Sequence, residues 1–110
     1  MFEKDLSVAY LLDFYGEILS ERKQQVMDEY YNNDLSLSEI GDSLGISRQA
    51  VREMIKRAEE ELHFYESKLH LAQRFREAGT HAERLRLLAS AHSLPDEVAK
   101  EIEALAKSIR

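Results

Sequence analysis

Two glycines, Gly41 and Gly45, restrict the fold of this chain more than any other feature of its 110 residues. They lie in the stretch SLSEIGDSLGISRQAVREMI. Ser36 and Glu39 have the spacing of a capping box, in which each side chain accepts a hydrogen bond from the backbone N–H of the other residue. Gly45 can take the left-handed conformation that ends a helix, because it has no Cβ. The stretch therefore predicts a short helix, a tight turn, and a second helix capped by Ser47.

Two such helices form a helix-turn-helix when they cross closely and share apolar contacts, and Gly41 supplies the small residue for the crossing. The positions that join the two helices are all apolar: Ile40, Leu44, Ile46, Val51 and Met54. Arg and Gln side chains can make bidentate contacts with guanine and adenine edges in the major groove. The candidate nucleic-acid-binding residues, on the outer face of the second helix, are Ser47, Arg48, Gln49, Arg52, Lys56 and Arg57. The alternative is that these are ordinary solvated residues on a helical scaffold.

The distribution of charge argues against strong binding to DNA. The chain has a formal net charge of -6, and residues 1–46 carry three basic and ten acidic side chains. Residues 47–57 carry four basic side chains and one acidic one, the only concentrated positive patch. The acidic run Glu59 to Glu61 follows within two turns. Because phosphate neutralisation supplies most non-specific affinity, we expect a weak or dimer-dependent contact with nucleic acid.

The second motif helix is predicted to continue far beyond the motif and to form a coiled-coil-like seam. No Gly or Pro occurs before Gly79, so the pattern predicts an unbroken helix from Arg48 to about residue 77, roughly 45 Å long. Apolar residues alternate along it at spacings of four and three: Val51, Ile55, Ala58, Leu62, Tyr65, Leu69 and Ala72. The seam can be covered by the rest of the chain, by a second copy, or by both. We predict a symmetric homodimer with Leu62, Tyr65 and Leu69 near its interface.

The remaining patterns predict an all-α protein of five or six helices, in a single domain spanning residues 1–110. The helix-turn-helix core comprises residues 6–71, and residues 72–110 form a helical tail. Thr80 and Glu83 have capping-box spacing and predict the start of a helix. A last helix is predicted to open around Pro95, because proline is favoured in the first turn.

Several kinds of chemistry are not expected in this chain. It has no cysteine, and a glycine-rich phosphate loop is absent from the sequence. Its histidines lack metal-binding spacing: His63, His70, His81 and His92. We therefore expect no metal, no cofactor and no enzymatic activity. The longest apolar run, Val8 to Leu12, is too short to cross a bilayer, and the acidic N-terminus lacks a signal-peptide core, so an intracellular protein is expected.

Three segments carry a family resemblance: LLDFYGEILSERKQ, YYNNDLSLSEIGDSLGISRQAVREMIKRAEEEL and YESKLHL. Together they resemble the YlxM-type family of small bacterial helix-turn-helix proteins, from about Val8 to Leu71. The motif also resembles the promoter-recognition domain of bacterial sigma factors. The tail after Leu71 matches no pattern. The resemblance implies a cytoplasmic, all-helical, non-enzymatic protein. It also implies a regulatory part in the signal recognition particle pathway, because genes of this family commonly lie beside the gene for the particle's GTPase.

Two functions are consistent with these features. The first is a regulatory protein of the signal recognition particle pathway that contacts duplex DNA, the particle's RNA or its GTPase through the helix-turn-helix. The alternative is a dimeric transcription regulator that binds duplex DNA. A DNA regulator would retard duplex DNA in a salt-dependent and sequence-dependent way, whereas a pathway protein would bind the particle's RNA or GTPase.

Overall fold

A computed structural model describes Lys4 and residues 6–109 of the chain. The described residues form six α-helices and no strand, so the prediction of an all-α fold is confirmed. The helices are α1 (Leu6–Tyr15), α2 (Glu21–Tyr31), α3 (Leu37–Leu44), α4 (Arg48–Leu69), α5 (Leu71–Ala91) and α6 (Asp96–Ile109), with a short 3₁₀ turn, Gly16–Ile18, after α1. Over the described range, none of these helices combines the length and the apolar character that crossing a membrane requires.

The chain divides into two compact units, Met1–His70 and Leu71–Arg110, which we call the N-terminal unit and the C-terminal unit. The division falls one residue from the predicted boundary between a helix-turn-helix core at 6–71 and a tail at 72–110. The prediction that the whole chain is a single domain stays a prediction.

The N-terminal unit is built around α4, which contacts α1, α2 and α3. Val51, Ile55, Ala58 and Leu62 on one face of α4 are fully buried, as the predicted seam requires. The side chains that cover them include Val8, Tyr15, Val26, Met27 and Ile40, all with at most 1% of their surface exposed. Burial of each large apolar side chain contributes roughly 1.5–3 kcal/mol, so this face of α4 holds the unit together.

The predicted turn between α3 and α4 is confirmed in detail. The Ser36 hydroxyl accepts from the Glu39 backbone N–H at 3.0 Å, and a Glu39 carboxylate oxygen accepts from the Ser36 N–H at 3.0 Å. Gly45 ends α3 in the left-handed conformation, with φ of 70°. The backbone N–H of Ile46 donates to the Gly41 carbonyl at 3.0 Å, which closes the turn.

The predicted unbroken helix from Arg48 to about residue 77 is wrong. Helix α4 ends at Leu69 after 22 residues, roughly 33 Å. His70 takes the left-handed conformation with φ of 55°, and its backbone N–H donates to the Glu66 carbonyl at 2.9 Å. Histidine is enriched among the non-glycine residues that tolerate this conformation. The predicted seam extends only to Ala72 beyond the break, and the apolar series of α5 begins at Leu71, shifted by one residue from the seam of α4. This shift of phase was the available sign of the break.

The prediction that Thr80 and Glu83 open a helix is also wrong. Helix α5 runs from Leu71 through Gly79 and Thr80 to Ala91 without interruption. The Thr80 hydroxyl donates to the Arg76 carbonyl one turn earlier, at 3.1 Å, instead of capping a new helix. The last helix, α6, starts where predicted. The Pro95 carbonyl accepts hydrogen bonds from two backbone N–H groups in its first turn.

Replacing Gly41 with alanine is expected to destabilise the protein by about 1–3 kcal/mol, because overpacking here cannot be relieved by a side-chain rotation. A Cβ at this position would lie 2.7 Å from the backbone oxygen of Ile46. Urea denaturation followed by circular dichroism measures the change.

Gly16→Ala is the matched control for that experiment. A Cβ at Gly16 would meet only a Leu12 side-chain carbon, at an ordinary contact distance of 3.7 Å. This variant should be as stable as the original chain or slightly more stable. Equal stability of the two variants would contradict the close approach at Gly41.

Candidate nucleic-acid interface

The first turn of α4 has a defined start. Ser47 precedes the helix with extended backbone angles, and its side-chain oxygen accepts from the Ala50 backbone N–H at 3.0 Å. The preceding turn is held against α3 at Gly41, where a Cβ would also lie 3.5 Å from the Arg48 backbone nitrogen. The Ile46–Gly41 backbone hydrogen bond and the Ser47 side-chain cap therefore fix this short connection and orient the α4 side chains that follow.

The six residues predicted to bind nucleic acid all lie on the exposed surface of the N-terminal unit. They are Ser47, Arg48, Gln49, Arg52, Lys56 and Arg57. On the opposite side of α4, Val51 and Ile55 are fully buried and Met54 is half-buried. The predicted separation of an inward apolar face and an outward polar face is therefore confirmed. Nucleic-acid binding by the six residues stays a prediction.

Glu53 lies among the candidate residues and alters their chemistry. It is exposed, and its Oε1 accepts from Gln49 Nε2 at 3.3 Å. The Gln49 amide must therefore exchange this weak surface contact for a base edge if it reads nucleic acid. A carboxylate in the middle of the patch also lowers its attraction for phosphate. The positive charge along the first turns of α4 comes from four exposed side chains: Arg48, Arg52, Lys56 and Arg57.

The acidic run after the patch is less repulsive to an anionic ligand than the sequence suggests. Glu59 accepts a hydrogen bond from the Tyr31 hydroxyl at 2.5 Å. Glu61 forms an ion pair with Lys23 at 2.8 Å. Both carboxylates therefore bond to side chains of α2, and both residues are half-buried. Glu60 is the one residue of the three that is exposed, so a ligand on the outer face meets one of these carboxylates fully.

Sequence analysis missed Phe64, which follows the patch along α4. Its side chain is 57% exposed, and the Lys68 ammonium lies 5.8 Å from the ring centroid. Phe64 also lines a cleft of about 500 Å³, together with Arg57 and Tyr65. The sequence contained a sign of this exposure, because Phe64 does not belong to the apolar series at four-three spacing. An aromatic residue outside that series on an amphipathic helix must face outward.

The three residues predicted at a dimer interface have different environments. Leu62 is fully buried within its own chain, because α1 and α2 cover α4 at that level. Tyr65 is half-buried, and its ring centroid lies 6.1 Å from that of Tyr15. Leu69 is 46% exposed. Leu62 therefore belongs to the intramolecular core, and an interface at Tyr65 and Leu69 stays a prediction.

The capped helix, the glycine turn and the second helix with its outward basic residues define a helix-turn-helix protein. A family model described as "Putative helix-turn-helix protein, YlxM / p13 like" matches residues 2–104. The chain belongs to this family, UPF0122. The match extends through most of the C-terminal unit, where sequence analysis found no resemblance.

Relatives from several bacilli match along nearly their whole length. A UPF0122 protein of Bacillus mycoides (strain KBAB4) is 40% identical over 108 residues, which cover 97% of this chain and 98% of the relative. UPF0122 proteins of Bacillus thuringiensis (strain Al Hakam) and Bacillus anthracis (strain A0248) are each 39% identical over the same proportions. The chain is therefore similar to these proteins in both of its units.

Ser47→Ala is expected to lower the free energy of unfolding by about 1 kcal/mol, because it removes the side-chain cap of α4. Ser47→Asp should retain most of the stability, since aspartate is also a preferred cap and its charge is favourable at a helix N-terminus. Thermal denaturation of the two variants compares them directly. Equal destabilisation would show that the cap contributes little.

Proposed function

We propose that this protein is a regulatory protein that binds nucleic acid through the outer face at the start of α4. The observation that carries the proposal is the exposure of Arg48, Arg52 and Lys56 on a helix whose opposite face is fixed in the core. Rigid support on the buried side means that little conformational entropy is lost when these side chains meet a ligand. The proposed role is a binding role and not an enzymatic one.

The three basic side chains are suited to different contacts. Arginine presents a planar fork of donors that matches a guanine edge, so Arg48 and Arg52 are proposed to reach bases in the major groove. Lys56 lies one turn after Arg52, and its ammonium group is proposed to neutralise a phosphate. The patch has few further positive groups, so binding is expected near the non-specific range, with a Kd of roughly 10⁻⁴ to 10⁻⁶ M at physiological salt.

The proposed pathway is that of the signal recognition particle. Its support is the family membership, together with the gene neighbourhood that the family resemblance implies. In this version the surface at the start of α4 contacts the particle's RNA or its GTPase, and the protein regulates targeting from the cytoplasm.

The alternative proposal is a transcription regulator that binds duplex DNA as a dimer. It is favoured by the geometry of the motif, since the second helix of a helix-turn-helix fits the wide major groove of DNA. The major groove of A-form RNA is too deep and narrow for such a helix, so an RNA contact would use loops or unpaired bases.

Arg52→Ala is expected to weaken binding by about 1–3 kcal/mol, or roughly 5-fold to 150-fold, if Arg52 reads a base edge. Fluorescence anisotropy with labelled duplex DNA and with the particle's RNA measures the Kd. Arg22→Ala removes the same charge from an exposed position on α2 and serves as the control, with little expected effect. Equal weakening by both variants would indicate a general charge effect instead of a specific contact.

Lys56→Ala is expected to weaken binding to all sequences alike and to reduce the salt dependence by about one unit of slope, as for one lost phosphate contact. The measurement is the Kd at several salt concentrations. A parallel pull-down with the particle's GTPase tests the protein-binding version. If Arg48→Ala combined with Arg52→Ala changes neither nucleic-acid binding nor GTPase binding, the helix-turn-helix acts only as a scaffold.

A further inference from the structure

The C-terminal unit buries almost none of its large apolar side chains. Among the described residues of α5 and α6, the buried ones are all alanines: Ala72, Ala82 and Ala106. Eight large apolar residues of this unit are between 37% and 55% exposed: Leu71, Phe75, Leu85, Leu87, Leu88, Leu94, Val98 and Leu105. Such a concentration in about 40 residues exceeds what scattered surface residues on a monomer usually show.

Small residues make the contact between α5 and α6. Gly79 approaches Ile109 so closely that a Cβ would lie 3.3 Å from its side chain. Ala82 and Ala106 line the same narrow space. Gly79 meets Ile109 near the end of α6, and Arg86, later on α5, interacts with Glu103, earlier on α6, so the two helices are antiparallel. Because Gly79, Ala82 and Ala106 occupy much of the contact line, most of the large apolar residues lie beside it.

The large apolar residues lie mostly on one side of this hairpin. On α5, Leu71, Leu85 and Leu88 are rotated in one sense, by about 50°, 90° and 150°, from the line through Gly79 and Ala82 that faces α6. On α6, Val98 and Leu105 are rotated in the same sense, by about 50° and 70°, from the line through Ala106 and Ile109 that faces α5. In antiparallel helices, rotations of the same sense bring both sets of residues to the same side. We call this side the apolar face; Leu87 points away from it.

The apolar spacing along each of the two helices is that of a helical bundle. On α5 the residues follow at intervals of four and three: Leu71, Phe75, Ala78, Ala82, Leu85 and Ala89. On α6 they follow in the same way: Val98, Ile102, Leu105 and Ile109. A heptad seam of this width packs against two neighbouring helices in a four-helix bundle. Within the described part of the C-terminal unit, each helix of the hairpin has one such neighbour, so the other flank of its seam is open there.

We propose that the apolar face binds the apolar face of a second copy of this chain, so that two C-terminal units form a four-helix bundle. A unit of about 40 residues is at the size at which folding usually depends on disulfides, metals or oligomerisation. The chain has no cysteine, so disulfides are excluded. A second hairpin with the same seam supplies the two helices that the open flanks require.

The distribution of charge favours a second copy as the occupant. Residues 71–110 carry seven basic and six acidic side chains, so two C-terminal units do not repel each other. Residues 1–70 carry eight basic and fifteen acidic side chains, so contact between two N-terminal units is opposed by like charge. The proposal differs from the predicted interface at Tyr65 and Leu69, and it does not depend on nucleic-acid binding.

The test is the mass of the full-length protein in solution. Sedimentation equilibrium is measured from about 1 to 100 μM, a concentration range in which many protein dimers form. It is expected to give twice the monomer mass of 12.8 kDa. Leu85→Glu and Leu105→Glu should each raise the dimer Kd by at least about 100-fold, since each buries a charge in both copies. Leu87→Glu introduces the same charge at an exposed leucine off the apolar face and should leave the dimer intact.

A second variant removes apolar area without adding charge. Leu85→Ala combined with Leu105→Ala keeps high helix propensity, so circular dichroism should show a folded chain that is nevertheless monomeric. If the original chain is a monomer across the concentration range, the proposal is overturned. The apolar face is then covered by another part of the same chain or by a different protein. Equal dissociation of the dimer by Leu87→Glu and by Leu85→Glu would also overturn the proposal. So would a dimer that Leu69→Glu dissociates and that the variants on the apolar face leave intact.

Discussion

The approach of the turn backbone to Gly41 is the constraint on which the N-terminal unit depends. The space between this residue and the Ile46 carbonyl is smaller than a methyl group requires. That approach brings α3 against the start of α4, and the left-handed Gly45 then reverses the chain. Without it, Ile40 and Val51 could not both be buried, and the outward direction of the basic residues on α4 would be lost.

The face of α4 opposite the basic patch explains how an acidic chain can present a positive surface. Hydrogen bonds and ion pairs draw several carboxylates of α4 toward α1 and α2. Glu66 accepts from the Tyr15 hydroxyl at 2.5 Å, and Glu59 and Glu61 bond to residues of α2. A net charge summed along the chain gives these groups the same weight as exposed ones. In the folded protein they act mainly within the N-terminal unit, so the local field at the start of α4 is more positive than the sum indicates.

The two units bury their apolar side chains in different ways. In the N-terminal unit, four helices share one core of large side chains, and helix α4 has a partner at every level as far as Leu62. In the C-terminal unit, small residues at the contact between α5 and α6 keep the two helices close and displace the large ones to the sides. A pair of helices has too little interior to bury heptad seams on both members. The family match spans residues 2–104 and therefore includes most of both units.

The sequence by itself determined the local features, because each depends on neighbouring residues. The capping box at Ser36, the glycine turn, the start of α4 and the exposure of Arg48 and Arg52 follow from side chains within a few positions of one another. Only the tertiary structure decided where α4 ends, because His70 can continue a helix or leave it and no glycine or proline marks the position. It also decided which glutamates face inward and that Leu62 is covered by its own chain, since those outcomes depend on contacts between residues far apart in sequence.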